Sequence, residues 1–486
     1  MAKRSLKQKA ASSMVWTALQ KYSTMFIQFI SGIILARLLT PHDYGCIGML
    51  SIFMVIAEAF IDGGFGSALI QKKQPTQEDY STIFYWNLSM AALMYAILYM
   101  CAPPISRFYD LPILSDILRV QGLVLFIYAF NIVQRNQLKK KLNFKVLSIV
   151  TITTSIVALA VTVFMAYSGF GVWALVAQNL ITAAIPAIVF WFFIKWRPIW
   201  SFSWHSFKEL FGFGVYMFFT HLVNRLGQQI QGLLIGKVYN ASTMGYYSKA
   251  HSFEKLVSTS ISKVMTEVTF PLYAEVQDKR DKMINMIKRL TSTLSYLTFP
   301  LMFVLILLAK PIFVFLYSEK WLSSVPYFQV LCVAGLPNCL QAVNLQTISA
   351  IGKSRTMFLW TLLKRGVGIA AIVAGLFTFG MKGLLVGAVI NSWFAYFVNI
   401  GLVSKHIGYK WKQQLKDLCP IAVVSVLAAI LSFGVGCVID GNMYFRGLVM
   451  LVVYLIVYIG WSVRFKPESY LYLLTIIPAK LRFWEK

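Results

Sequence analysis

Runs of apolar residues long enough to cross a bilayer recur along this chain from one end to the other. That repetition constrains the fold more than any other feature, because a spanning helix needs about 20 predominantly apolar residues. Such runs lie near 13–36, 44–69, 81–102, 112–134, 146–167, 171–194, 210–236, 243–271, 290–316, 324–351, 356–379, 383–404, 417–437 and 444–463. About fourteen transmembrane helices are therefore expected, with ends placed to within a few residues. No succession of short segments alternates at period two, so a β-barrel is not expected. Composition agrees: of 486 residues 58% are hydrophobic and 13% charged, against about 25% charged in a soluble domain. A surface so poor in charge cannot face water on all sides. The expected fold class is all-α, a polytopic membrane protein.

The chain carries 45 Lys and Arg against 18 Asp and Glu, a net charge of +27. In a water-soluble protein that excess would suggest nucleic acid. Its distribution points elsewhere. Thirty of the 45 fall in the N-terminus, the even-numbered loops and the C-terminus, six in the opposite loops and nine within the spans. Such a bias puts both termini in the cytoplasm, here of a bacterial inner membrane, and removes nucleic acid from the expected partners. The basic start from Lys3 to Lys9 precedes an apolar run too long for a signal peptide, and no small-x-small site follows it, so a retained first helix is expected. The six cysteines form no CxxC pair and read as small packing residues. Lys139, Lys140 and Lys141 read as a topology determinant facing anionic lipid.

A duplication is visible at an offset of 200 residues. Ile33-Ile34-Leu35-Ala36-Arg37 is followed by Tyr44-Gly45, and Leu233-Leu234-Ile235-Gly236-Lys237 by Gly245-Tyr246-Tyr247. Six helices separate the copies, so both insert with the same orientation. Two six-helix lobes related by an axis along the membrane normal are expected, an arrangement known in secondary transporters. The corresponding division is a cytoplasmic N-terminus at 1–12, an N-terminal lobe at 13–200, a C-terminal lobe at 201–406, and an appended helix pair with a cytoplasmic tail at 407–486.

Several stretches carry a family likeness. They are Leu35-Ala36-Arg37-Leu38 with Tyr44-Gly45, Asp62 through Phe65-Gly66 to Ile70-Gln71-Lys72, Leu142-Asn143-Phe144, Phe211-Gly212-Phe213-Gly214, and Phe270-Pro271-Leu272-Tyr273-Ala274 with Gln277-Asp278. The most specific is Glu319-Lys320-Trp321 with Pro326, Leu331-Cys332-Val333 and Gly335-Leu336, where Ser318 stands at a position that relatives usually fill with glycine. In these the chain resembles the polysaccharide exporters of the multidrug/oligosaccharidyl-lipid/polysaccharide superfamily, the colanic-acid and O-antigen type of flippase. The resemblance implies a V-shaped, two-lobed transporter that moves a polyprenyl-diphosphate-linked oligosaccharide to the outer leaflet for surface polysaccharide (lipopolysaccharide, O-antigen) biosynthesis. It implies a lipid-linked oligosaccharide and membrane lipids as partners, with polysaccharide polymerase machinery a further candidate and the transporter itself a monomer. No cofactor is expected; an H+ or Na+ gradient is a candidate drive.

Charged groups inside the spans are the sequence's own statement about cargo. A diphosphate crossing hydrocarbon needs fixed cations and hydrogen-bond donors along its path. The nine in-span basic residues are Lys21, Arg119, Arg225, Lys249, Lys255, Lys263, Lys310, Lys364 and Arg365, of which Lys263 and Lys310 lie near enough to span ends to snorkel. Arg225 lies roughly 22 Å along its helix, and Lys21 and the Lys364-Arg365 pair about 12 Å along theirs. His221, Arg225, Gln228 and Gly232 recur at helical spacing beside Asn224, Gln229 and Gln231; such a stripe either lines a cavity or forms an interhelical network. Arg225 can hold two phosphate oxygens at once. The expected substrate-binding set is Arg225, His221, Gln228, Lys21, Lys249, Lys255, Lys364 and Arg365. Glu254 could bind or merely neutralise a neighbouring lysine, and the amides Asn338, Gln341, Asn344 and Gln346 could meet sugar hydroxyls or each other's helices. Glu58 and Asp62, one turn apart, are candidates for ion coupling; the alternative for them is pairing with a basic residue of a neighbouring helix.

Enzyme classes fit poorly. The outer loops are short, no metal-ligand or nucleophile-base signature is present, and the P-loop pattern GxxxxGK[ST] is absent. No catalytic or metal residues are expected. The competing readings are a cation-coupled multidrug exporter of the same superfamily and a lipid II flippase. Drug exporters favour acidic and aromatic cavities, whereas the in-span charge here is mostly basic.

Overall fold

The computed structural model describes residues 6–275, 280–350 and 354–476, and all its regular structure is helical. In chain order the α-helices are α1 Leu6–Leu38, α2 Pro41–Asp62, α3 Phe65–Gln71, α4 Gln77–Phe108, α5 Ile113–Gln121, α6 Leu123–Lys140, α7 Phe144–Tyr167, α8 Val172–Phe193, α9 Trp204–Val238, α10 Ala241–Glu275, α11 Arg280–Leu307, α12 Ala309–Tyr317, α13 Ser324–Ala350, α14 Ser354–Ile407, α15 Trp411–Val438, α16 Met443–Phe465 and α17 Glu468–Ile476. All fourteen apolar runs fall within these helices as far as they are described. Ten segments among the described residues are long and apolar enough to cross a membrane, and the chain is a multi-pass membrane protein. One of the ten, Leu359–Ile407, covers two expected spans in 49 residues. The long helices outside that set, α1, α9 and α10, are the ones richest in in-span polar groups: Lys21, the stripe from His221 to Gln231, and Lys249 to Lys255.

Three expected single spans are each broken into two helices, and the breaks have local causes. Gly63 and Gly64 take left-handed backbone, φ 52° and 77°, and separate α2 from α3. That conformation costs an L-residue sterically and glycine nothing. Gly64 also packs directly against the backbone of Gly214 on α9, where a Cβ would collide. Gly122 divides α5 from α6 and sits under the Tyr95 ring. Leu308 divides α11 from α12.

The described residues form two compact units, Met1–Ser248 and Lys249–Lys486. In the first, α1 packs on α7, α7 on α8, α4 and α8 on α6, and α2 on α9. Its core gathers Phe65, Leu69, Ile83, Phe84, Ile132, Val133, Phe207 and Leu210. Helix starts are set by capping boxes, Thr40 with Asp43 and Thr76 with Asp79, which satisfy otherwise orphaned amides. Asp79 is 1% exposed and takes Lys72 at 3.0 Å, while Lys72 also donates to Glu209 at 2.8 Å. Burial disfavours the Lys72 charge, but its bonds to Glu209 and Asp79 outweigh this and hold the ammonium above the ordinary lysine value. Lys140 closes the end of α3 by donating to the carbonyls of Leu69, Ile70 and Lys72.

The 200-residue offset recurs in the geometry. Helices α1 and α9 end at Leu38 and Val238, and α2 and α10 begin at Pro41 and Ala241. Thr40 and Asn240 cap their helices in turn, each accepting from an amide three residues on. Where α2 and α10 cross, Gly45 faces the Ala241 carbonyl and Gly245 faces the Pro41 carbonyl. Each glycine thus admits the backbone at the start of the other helix. This crossing, together with the packing of α2 on α9, carries the first compact unit to Ser248.

In the second unit α13 packs on α11 and α14, and α15 packs on α16 and α11. Helix α14 is a hairpin folded at Phe379 and Gly380, whose backbone leaves helical values. Its arms meet through Gly375 against Gly383 and Gly387 against Ala371, small residues that let helix backbones approach. The last two long helices pack into this unit: Tyr296 on α11 donates to Ser462 on α16 at 2.7 Å, and Tyr458 returns a bond to the Tyr296 carbonyl at 2.9 Å.

Candidate functional site

The polar stripe of α9 meets α2 through two contacts. The Arg225 guanidinium lies 3.8 Å from the Glu58 carboxylate, with side chains 40% and 33% exposed. One turn further, Ser51 donates to Gln229 at 3.1 Å. Gln231 is engaged by the Tyr247 hydroxyl, and Gln228 is exposed. His221 lies on α9, but its side chain is outside the described residues. A pair this open and this long contributes about 0–1 kcal/mol, so neither partner is locked. Glu58 therefore takes up the alternative the sequence left open, pairing with a basic residue of a neighbouring helix. Asp62, one turn on, lies instead with the Asn136 amide against Gly66.

Behind α2 opens a cavity of about 500 Å³. Its walls come from α2 (Ser51, Met54, Glu58), the α5–α6 segment (Gln121, Tyr128, Asn131, Arg135), α7 (Thr151) and α8 (Asn179, Thr182, Pro186, Phe190). Gln121 and Asn131 are buried, and Gln121 Oε1 has no hydrogen-bond partner among the described residues. Buried polar groups are normally satisfied; one left open toward a cavity is a place for a ligand or water. Sequence reasoning missed Gln121, Tyr128, Asn131 and Asn179, and treated Arg135 as a loop charge. The signal was present: Gln121, Tyr128, Asn131 and Arg135 follow one another by 7, 3 and 4 residues, the spacing of one helical face.

The remaining expected binding residues have the following surroundings. Lys21 is half-buried on α1. In the second unit Lys249 is buried, its ammonium 4.3 Å from the centroid of the Tyr317 ring and 5.6 Å from that of Trp321. The Glu319-Lys320-Trp321 motif thus supplies a fully buried indole that seats a cation by its ring quadrupole. Lys255 is half-buried beside Glu254 and within electrostatic reach of Arg365. Glu254 packs its Oε1 against Gly335, where a Cβ would not fit. Lys364 donates to Asn399 of the other arm of the α14 hairpin at 2.9 Å, and Arg365 beside it is half-buried. Of the expected coupling and binding residues the structure brings Glu58 to Arg225 in the first unit and Lys255 toward Arg365 in the second. Among the described residues no cluster of three or more His, Cys, Asp or Glu could hold a metal ion.

Residues 34–326 match the model of a family described as "Polysaccharide biosynthesis protein". The chain belongs to that family. Among its relatives is the teichuronic acid biosynthesis protein TuaB of Bacillus subtilis, 27% identical over 76% of this chain and 77% of its own. Another is the lipopolysaccharide biosynthesis protein WzxC of Escherichia coli, 22% identical over 90% of both chains. The succinoglycan biosynthesis transport protein ExoT of Rhizobium meliloti is 25% identical over 83% of this chain and 80% of its own. Among solved structures the fold is similar to that of the lipid II flippase MurJ in an inward closed conformation, with a TM-score of 0.76 and 14% identity over 93% of this chain and 98% of that one. It is also similar to a multidrug resistance MATE transporter, TM-score 0.63, over 82% and 98% of the two chains. The fold of this polysaccharide biosynthesis protein is thus similar to that of both solved transporters.

Proposed function

We propose that this polysaccharide biosynthesis protein flips a polyprenyl-diphosphate-linked oligosaccharide across the cytoplasmic membrane, with both termini on the cytoplasmic side. The observation that carries the reading is the open Arg225–Glu58 pair, whose Glu58 lines an amide-bearing cavity. The names of the relatives, which concern teichuronic acid biosynthesis, lipopolysaccharide biosynthesis and succinoglycan biosynthesis transport, support the cargo class. Helices α1, α9 and α10 cross the membrane as well; their polar groups face protein and the transport path rather than lipid.

In this mechanism the diphosphate reaches Arg225 from the cytoplasmic side while the prenyl tail stays in lipid. The guanidinium exchanges one carboxylate for phosphate oxygens, which it holds in bidentate fashion. Glu58, released from its cation, takes up a proton or Na+, because an isolated carboxylate at that depth is costly. Alternating access then exposes the head outside. The cycle needs no cofactor and one copy of the chain, working beside the polysaccharide polymerase machinery. Lys21, Gln228 and His221 of the first unit, and Lys255, Lys364 and Arg365 of the second, are further candidates for meeting the anionic head.

Two other readings follow from the fold, a multidrug exporter and a lipid II flippase. The basic balance of in-span charge favours an anionic cargo over cationic drugs. Proteoliposomes holding the purified protein test the reading: transfer of a lipid-linked oligosaccharide supports it, and export of cationic dyes with no glycan transfer overturns it.

A further inference from the structure

We propose that the cavity bounded by α2, α5, α6, α7 and α8 is a saccharide subsite that seats one sugar ring of the cargo. The inference rests on the flippase reading for the source of the sugar, but its chemistry stands on the cavity alone. The lining presents side-chain amides at Gln121, Asn131 and Asn179, hydroxyls at Tyr128 and Thr182, and a guanidinium at Arg135. Gln121 Oε1 is buried with no hydrogen-bond partner among the described residues, and Gln121 and Asn131 are each 6% exposed. A carboxamide offers a donor and an acceptor side by side, which match adjacent ring hydroxyls that both donate and accept. A volume of about 500 Å³ falls within the range of small-molecule sites, about 300–1,000 Å³, and exceeds what a dehydrated cation needs.

Charge decides against the other occupants. Glu58 is the only carboxylate in the lining, it already faces Arg225, and Arg135 lies in the same walls. A metal cation would need several anionic or carbonyl oxygens, and a cationic drug would meet a guanidinium. A purely apolar ligand would leave the amides unpaired. Met54, Val55, Pro186 and Phe190 give the apolar face that one side of a pyranose requires, while the amides meet its edge.

The test uses the full chain in lipid nanodiscs and saturation-transfer NMR with methyl glycosides of glucose, galactose, mannose, N-acetylglucosamine, rhamnose and glucuronate, with inorganic pyrophosphate as a separate probe. Wild type is expected to bind at least one glycoside with a millimolar Kd. Asn131→Leu and Asn179→Leu should weaken that binding at least tenfold, and Ala183→Phe, which fills the cavity without removing a polar group, should abolish it. Retained pyrophosphate binding in all three reports a folded protein. Arg225→Ala should lose pyrophosphate and keep the glycoside. If no glycoside binds wild type, or if Ala183→Phe and both Leu variants bind as wild type does, the subsite is overturned. Glycoside binding that these three variants lose, with no pyrophosphate binding by wild type, would uphold the subsite and sink the diphosphate role of Arg225 instead; the variants' fold is then read from their thermal unfolding.

Discussion

The crossing of α2 and α10 offers a sharp test of how this fold is held. A Cβ added at Gly45 would lie 2.9 Å from the Ala241 Cα, and one added at Gly245 would lie 3.0 Å from the Pro41 Cα, with the carbonyl atoms closer still. Non-bonded carbons rest at about 3.5–4.0 Å. Either alanine must therefore push the two helix starts apart by roughly 0.5–1 Å or more. The obstructing atoms are backbone in both cases, so no side chain can rotate away. Overpacking of this kind costs about 1–3 kcal/mol. The two contacts share one junction, so the separation forced by the first alanine makes room for the second. Gly45→Ala and Gly245→Ala should each destabilise by about 2 kcal/mol, and the double variant by about 1 kcal/mol less than their sum. Equilibrium unfolding of the purified protein in mixed micelles measures all three. Single variants within about 0.5 kcal/mol of wild type, or strict additivity, would refute the reasoning, because the first denies the clash and the second denies the shared junction.

Three further outcomes follow from single contacts. Trp321→Ala removes a fully buried indole that also faces Lys249, and should cost about 3–5 kcal/mol; a thermal shift no larger than that of an exposed tryptophan such as Trp200 would contradict the packing role. Ser318 holds φ at 80°, so Ser318→Gly should stabilise by about 1 kcal/mol through relief of backbone strain, and a loss of stability on the same unfolding assay would count against it. Asp79→Ala takes away the carboxylate that caps α4 and receives Lys72. Because Lys72 stays 22% exposed, the cost should be about 2 kcal/mol, below the 3–5 of a fully buried pair, and an unchanged midpoint would refute the assignment.

Much of the architecture was legible in the chain. Length and apolarity of the runs dictate helices without reference to the packing between them. The short text shared by residues 33–45 and 233–245 carried real geometry, since helix ends, caps and the reciprocal glycines repeat at the same offset. The breaks at Gly63-Gly64 and Gly122 were harder to see, because an isolated glycine in an apolar run is compatible with an unbroken helix; the approach of Gly214 and Tyr95 makes these breaks intelligible. Site residues were read unevenly. The α9 stripe was visible from its helical spacing, but whether Glu58 faces Arg225 or solvent depends on tertiary packing that no local pattern encodes. Lys249 resembled a ligand because a lone in-span lysine is costly, yet its aromatic seat is supplied by residues some 70 positions away. The cavity amides were overlooked because Gln121, Asn131 and Asn179 lie on separate helices and only tertiary packing brings them to one wall.

The central claim is that Arg225 meets a lipid diphosphate in exchange for Glu58. Its most direct measurement is transfer of a fluorescent polyprenyl-diphosphate oligosaccharide across proteoliposomes, comparing wild type with Arg225→Ala and Glu58→Gln under an imposed proton or Na+ gradient. The account predicts transfer by wild type, a loss of at least tenfold in Arg225→Ala, and gradient-independent residual transfer in Glu58→Gln. Wild-type rates in Arg225→Ala, with the protein folded and oriented as before, would contradict it.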